Sequence, residues 1–185
     1  MNIMVVVLLG LLGIIAFILL AGLFVKRSFS IKREIVIEKS LQEVFDYVKL
    51  LRNQDYYSKW VMTDPQMKKE FRGKDGTVGF VYAWSGNDKA GEGEQEITGI
   101  SEGRRVDIEI RFVKPFKSVA RTPIVTEALT PTQTKVIWGM EGRSKYPFNI
   151  MYVFLSNVFG RDVETSLKTL KRNLEEQSTV TVHAS

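Results

Sequence analysis

The run from Ile3 to Val25, IMVVVLLGLLGIIAFILLAGLFV, holds 23 residues without a charge. As a helix it is about 35 Å long, more than the roughly 30 Å hydrocarbon core of a bilayer. It therefore reads as a transmembrane anchor. A cleaved signal peptide would carry a basic n-region, a shorter apolar stretch and a small-x-small cleavage site. Here only Met1 and Asn2 precede the run, and no such site precedes Lys26. A lipoprotein signal needs a cysteine, and the chain has none. Residues 1–27 are thus expected to be an uncleaved anchor, with residues 3–25 in the membrane. Lys26, Arg27, Lys32 and Arg33 follow the span, against only Asn2 and the terminal amine before it. That asymmetry predicts a single-pass protein whose C-terminal domain lies in the cytoplasm. Gly10 and Gly13 are three apart, so this pair lacks the small-xxx-small spacing of helix dimers.

What remains has restricted chemistry. Without cysteine there can be no disulfide, thiolate nucleophile, cysteine zinc site or iron–sulfur cluster. The single histidine, His183, lies in the polar ending STVTVHAS, so neither a buried Ser-His-Asp triad nor a multi-histidine metal site can be assembled. No metal and no cofactor is expected. The 26 Lys and Arg are interspersed with 21 Asp and Glu, for a net charge of +5, and this dispersed balance implies no nucleic-acid surface.

Residues 28–177 read as one α+β domain and residues 178–185 as a disordered tail. In FSIKREIVIEKS, Ile31, Arg33, Ile35 and Ile37 alternate with Lys32, Glu34, Val36 and Glu38, as in a half-buried strand. Ser40 with Glu43 three residues later makes a capping box, and Val44, Phe45 and Val48 give the helix behind it one apolar face. A short helical piece near Asn53 to Ser58 ends at Trp60. Six stretches then read as an antiparallel meander: QMKKEFR, TVGFVYAW, GEGEQEITGIS, RRVDIEIRFVK, SVARTPIVTEALT and QTKVIWGMEG. In RVDIEIRF, Val106, Ile108, Ile110 and Phe112 form a dry face and Arg105, Asp107, Glu109 and Arg111 a wet one. Phe148, Met151, Tyr152, Leu155 and Phe159 recur at helical spacing, and Leu167, Leu170 and Leu174 continue it beyond Gly160. Gly160 is expected to break or kink this run, with Asp162 capping the second, longer helix.

The stretch SGNDKAGEGEQEI contains a G-x-G but no phosphate cradle. A phosphate loop sets backbone amides at a helix start after a strand, whereas these glycines precede a strand whose Glu92, Glu94 and Glu96 would repel an anion. SGNDKAG is expected to be a hairpin turn with positive φ at Gly86 and Asn87. No nucleotide is expected.

Taken in order, IVIEKSLQEVFDYV, Trp60, YAWSG followed by GEG, RFVKPF, VIWGMEG and GRDVETSLKTLK resemble the SRPBCC superfamily, and within it the polyketide cyclase/dehydrase-like branch. The resemblance covers Phe29 to Glu176. It implies the START-like helix-grip fold, in which a curved antiparallel sheet wraps a long C-terminal helix. A cavity between them commonly holds an apolar or amphipathic molecule. It implies no shared catalytic set, because carriers and cyclases both use this fold.

Strand parity places Phe80, Tyr82 and Trp84 inward, together with Val136, Trp138 and Met140. Large rings with polar tips suit a ligand wall. Trp60, Tyr82, Trp84, Trp138 and Met140 are the candidate ligand contacts, joined by Phe148 and Tyr152 from the helical side. Plain core packing is the competing reading for each. Arg111 shares the parity of Asp107 and Glu109 and reads as a solvated strand charge rather than an anchor for an anionic head group. Glu92 or Glu94 could act as a general base at the cavity mouth, but closely spaced acids on a hairpin are ordinarily solvated, and no catalytic residue is assigned. YPFNIMYVFLSNVF carries no charge over 14 residues. It is either buried beneath the sheet, the preferred reading, or set at the bilayer interface as a gate.

The expected function is binding of a hydrophobic or amphipathic small molecule, such as a lipid, an isoprenoid or quinone, or a polyketide-like compound, by a membrane-tethered domain. The alternatives are a cyclase or dehydratase, or a structural or regulatory membrane protein without a ligand.

Overall fold

The computed structural model describes residues 2–144 and 146–182, with backbone alone for Phe148 and for residues 151–155 and 177–182. The apolar run forms helix α1 (Ile3–Phe24), whose start is capped by Asn2 accepting from the Met4 amide. Its side chains pack against almost nothing: of its residues only Gly22 is buried. It is the one helix among the described residues long and apolar enough to cross a membrane.

Strand β1 (Ser28–Ile37) follows, then helix α2 (Leu41–Lys49) and two 3-10 turns (Leu51–Tyr56 and Val61–Thr63). The sheet continues with β2 (Lys68–Arg72), β3 (Val81–Ser85), β4 (Glu92–Ser101), β5 (Arg105–Lys114), β6 (Ser118–Arg121), β7 (Ile124–Thr130) and β8 (Gln133–Arg143). A 3-10 turn (Phe148–Ile150) leads into the long helix α3 (Met151–Val182). All pairings are antiparallel, in the order β1-β8-β6-β5-β4-β3-β2, with β7 between β5 and β8. Register shifts between Glu92 and Gly93 and between Ile97 and Gly99 mark bulges in β4, and bulges increase twist and bend a sheet. This is the curved sheet and C-terminal helix expected of the helix-grip fold.

Local chemistry accounts for these elements. The Ser40 hydroxyl and the Glu43 carboxylate satisfy each other's backbone amides, completing the capping box of α2. The face of α2 formed by Val44, Phe45 and Val48 is fully buried. From α3, Val163, Leu167, Leu170 and Leu174 enter the same core as Ile37, Ile97, Ile108 and Val136. Each such burial stabilises the fold by roughly 1.5–3 kcal/mol before entropy is counted.

The structure departs from the sequence pattern at six places. The strand anticipated over TVGFVYAW begins only at Val81, because Gly79 takes φ +89 and breaks the extended backbone. SVARTPIVTEALT divides into β6 and β7 at Thr122–Pro123, since Pro123 has no amide to give the ladder. The register survives the gap: Arg121 faces Glu141 and Ile124 faces Trp138, three residues on along each strand. In the 86–91 hairpin the positive φ falls at Gly91 (+68), not at Gly86 or Asn87. The Asn87 side chain instead accepts from the Lys89 and Ala90 amides.

The helical piece after α2 starts at Leu51, and a second turn follows Trp60. Finally, Gly160 does not interrupt α3, and Asp162 lies inside the helix rather than capping it. The Arg33 guanidinium lies against Gly160, its Nη2 being the atom nearest to where a Cβ would stand. Asp162 pairs with Lys59 at 2.5 Å, tying the 3-10 region to α3. The helix runs on to Val182, past Gln177, where the apolar period ends.

Candidate functional site

Between the concave face of the sheet and α3 lies an open cavity of about 2110 Å³. Ordinary small-molecule clefts measure ~300–1,000 Å³, so the space admits an extended ligand. Trp60, Tyr82, Trp84, Trp138 and Met140 all stand on its wall. The side chains of Phe148 and Tyr152, the other two candidates, lie outside the described residues. From α3 the wall receives Phe159.

These rings divide by role. Tyr82 and Trp138 are at most 3% exposed and belong to the core as well as the wall. Trp138 meets the edge of Tyr57 at 5.7 Å and that of Trp60 at 6.0 Å between ring centroids. Trp84 is only half-buried, edge-on to Phe112 at 6.0 Å. Gly93, its cross-strand partner, leaves room for the indole: a Cβ there would come within 2.8 Å of the ring and 2.6 Å of the Arg111 carbonyl.

The polar tips of two wall rings are consumed within the protein. The Tyr82 hydroxyl donates to Asp55 at 2.7 Å, and Asp55 in turn pairs with Lys69 at 2.9 Å. Burial, then the hydrogen bond to the Asp55 carboxylate, raises the Tyr82 pKa, so the hydroxyl stays protonated and donating. Trp84 Nε1 donates to the Ala90 carbonyl at 3.1 Å. These residues consequently offer a ligand ring faces rather than donors.

Hydrogen-bonding capacity on the wall comes instead from Gln54 and Gln95, both 4% exposed, with Gln95 Nε2 donating to Gln54 Oε1 at 3.1 Å. That one bond uses a fraction of what two carboxamides can make. Sequence reasoning passed over this pair, although a signal existed. Gln95 shares the parity of Gly93 and Ile97, which makes it a polar residue on a dry strand face.

The acids considered as general bases face the other way. Arg111 holds Glu94, Glu96 and Glu109 at 2.9, 2.6 and 2.9 Å, and Glu94 also bonds Arg72. The Arg111 hydrogen bond, aided by Arg72, keeps Glu94 below the usual carboxylate range, the wrong direction for a base at neutral pH. Glu92 is bound to Lys114 at 2.7 Å. Arg111 is thus the hub of an ion-pair network on the outer face, more organised than a solvated strand charge.

The uncharged segment after β8 is neither simply buried nor simply exposed. The Tyr146 hydroxyl donates to the Leu19 carbonyl at 3.1 Å, and Asn149, fully buried, donates to the carbonyls of Gly22 and Val25. The segment therefore clasps the last turns of α1 at one end and contributes Phe159 to the cavity at the other. Among the described residues no cluster of His, Asp and Glu could hold a metal ion.

A family model described as polyketide cyclase / dehydrase and lipid transport matches residues 28–175. Among solved structures, a norcoclaurine synthase from Thalictrum flavum, a point mutant in complex with a transition-state analogue, superposes with a TM-score of 0.64 at 10% identity. The match covers 82% of this chain and 96% of that one. A protein from Nitrosospira multiformis matches over 82% of this chain and 99% of its own, with TM-score 0.56 and 18% identity. One from Arthrobacter aurescens covers 81% and 87%, with TM-score 0.57 and 16% identity. Likeness at such identities is of fold alone. Among curated proteins none matches the sequence.

Proposed function

Since the chain belongs to the polyketide cyclase/dehydrase and lipid transport family of the SRPBCC superfamily, we propose that it binds a hydrophobic or amphipathic small molecule, a lipid, isoprenoid, quinone or polyketide-like compound, while tethered to a membrane by α1. One observation carries this reading: the aromatic-walled cavity, large enough for an extended ligand, includes Lys26 and Ser28, directly after the apolar helix, in its lining. A ligand dissolved in the bilayer would reach such a site without crossing water, and tethering raises its effective concentration. Trp60, Trp84, Trp138 and Met140 supply apolar contact, and the Gln54–Gln95 pair meets the ligand's polar group. The basic residues that follow α1 support a cytoplasmic domain.

Catalysis of a cyclase or dehydratase type is the second reading, supported by the family description. It gains nothing from Glu92 and Glu94, which are held in ion pairs on the outer face. Native mass spectrometry of the full chain released from nanodiscs tests the binding proposal. A co-purifying apolar adduct is expected. A bare mass from several detergents and lipid extracts would overturn it in favour of a purely structural role.

A further inference from the structure

The register of the sheet fixes which loops stand beside the anchor. Phe29 pairs with Gly142, and Gly142 with Ala120, so these three residues lie at one level across β1, β8 and β6. Two residues nearer the anchor are Arg27 on one side, whose carbonyl accepts from Ser144, and Ser118 on the other. Continuing the count, Lys117 reaches the level of Lys26, and Phe116 that of Val25, the residue capping α1. The β5–β6 turn thus descends to the depth at which the apolar helix ends.

Its exposure fits that depth. Phe116 is 67% exposed and Val113 and Val119 about half, in a turn that also carries Lys114 and Lys117. The 86–91 hairpin lies alongside, Gly91 packing against Lys114 and Pro115, and adds Lys89. An independent contact gives the same placement. Tyr146 bonds the carbonyl of Leu19, five residues before the end of α1, and hence about 7.5 Å inside it along the axis. Part of the domain's base is already alongside apolar helix. Phe116, Lys117, Lys26 and Tyr146 all border the cavity, which therefore extends to this level.

We propose that this end of the domain is seated on the bilayer: Phe116 inserts among the lipids, Lys26, Arg27 and Lys117 meet anionic head groups, and the cavity opens onto the lipid surface. Acids at this end are Asp88, Asp64, which accepts from the Asn87 amide, Glu92, which Lys114 neutralises, and Glu141, which pairs with Lys32. Basic residues close to an anionic leaflet are attracted to it and are released on loss of the anionic lipid. This inference rests on the membrane-tethered reading above, but it concerns the orientation of the domain rather than its attachment.

The absence of cysteine makes the test direct. Full-length Phe116→Cys and Thr132→Cys variants are labelled with an environment-sensitive fluorophore and reconstituted into vesicles of phosphatidylcholine and phosphatidylglycerol. Thr132 is exposed before the far end of β8, some ten residues or ~33 Å away. Blue-shifted emission and quenching by brominated acyl chains at position 116, with neither at 132, are expected. Removing phosphatidylglycerol should reduce the quenching several-fold. Water-like emission at both positions in protein that floats with the vesicles would overturn the seating and leave the tether intact. Protein that does not float would overturn both.

Discussion

The side-chain amide of Asn149 donates to the Gly22 carbonyl at 2.7 Å, capping the end of the apolar helix from within the domain. The same Nδ2 reaches the Val25 carbonyl at 2.9 Å. Helix-terminal carbonyls lack intrahelical partners, so this one side chain both completes α1 and fixes the domain against it. Each bond contributes about 1 kcal/mol net, and losing both changes an opening equilibrium by a factor of roughly 30. Asn149→Ala should therefore accelerate trypsin cleavage after Lys26 and Arg27 by up to about 30-fold in nanodiscs, while the domain's melting temperature moves little. Unchanged cleavage would mean the clasp does not restrain the junction.

The two wall tryptophans should part company on substitution. Trp138 is 3% exposed and touches Tyr57 and Trp60, so Trp138→Ala should cost about 3–5 kcal/mol in denaturant unfolding. Trp84, half-buried at the cavity, should cost about 1–2 kcal/mol on truncation to alanine and should remove most of a bound adduct. Loss of stability comparable to that of Trp138→Ala would make Trp84 a core residue instead.

Gly93→Ala offers a sharper probe of the same wall. Its Cβ would collide with the Arg111 carbonyl and the Trp84 ring, and backbone cannot yield as a flexible side chain can. A cost of about 1–3 kcal/mol is expected, with a shift in Trp84 fluorescence. By contrast, the atoms nearest a Cβ at Gly160 belong to the Arg33 guanidinium, the far end of a flexible side chain, and alanine is favoured over glycine in a helix by about 1 kcal/mol. The net effect of Gly160→Ala on thermal stability should lie near zero.

The Arg111 hub gives a pH dependence of known sign. The folded-state pKa of Glu94 is depressed, chiefly by Arg111. Its contribution is therefore present above the unfolded carboxylate value of 4.5 and is lost as pH falls below it. Arg111→Gln should destabilise the domain by about 1–2 kcal/mol at pH 7, and the gap from wild type should narrow below pH 4.5. A gap independent of pH, by thermal melts across the acid range, would assign the loss to packing.

Glu43 behaves in the same sense. Its pKa is lowered from 4.5 to about 2 by hydrogen bonds from Ser40 and Lys39. Ser40→Ala should cost about 1 kcal/mol near neutrality, measured by urea unfolding, and less as pH approaches 2. An equal cost at both pH values would mean that the carboxylate plays no part in the cap.

Much of this was legible in the chain itself, because the relevant physics is local. The length of the uncharged run sets α1, Ser40 and Glu43 set the start of α2, and the parity of Tyr82, Trp84, Trp138 and Met140 assigns them to the concave face. Each depends on residues within a turn or strand of one another. Gln95 was equally within reach by its parity.

The tertiary structure decided what depends on register between distant segments. Which side chain needs the space beside Gly160 and which turn stands beside the apolar helix follow from contacts between segments distant in sequence, and the acids of β4 find their arginine only across the β4–β5 ladder. Periodicity tells a side chain which face it occupies. Only the curvature of the sheet, through its bulges and long-range ladder, determines what that face encloses.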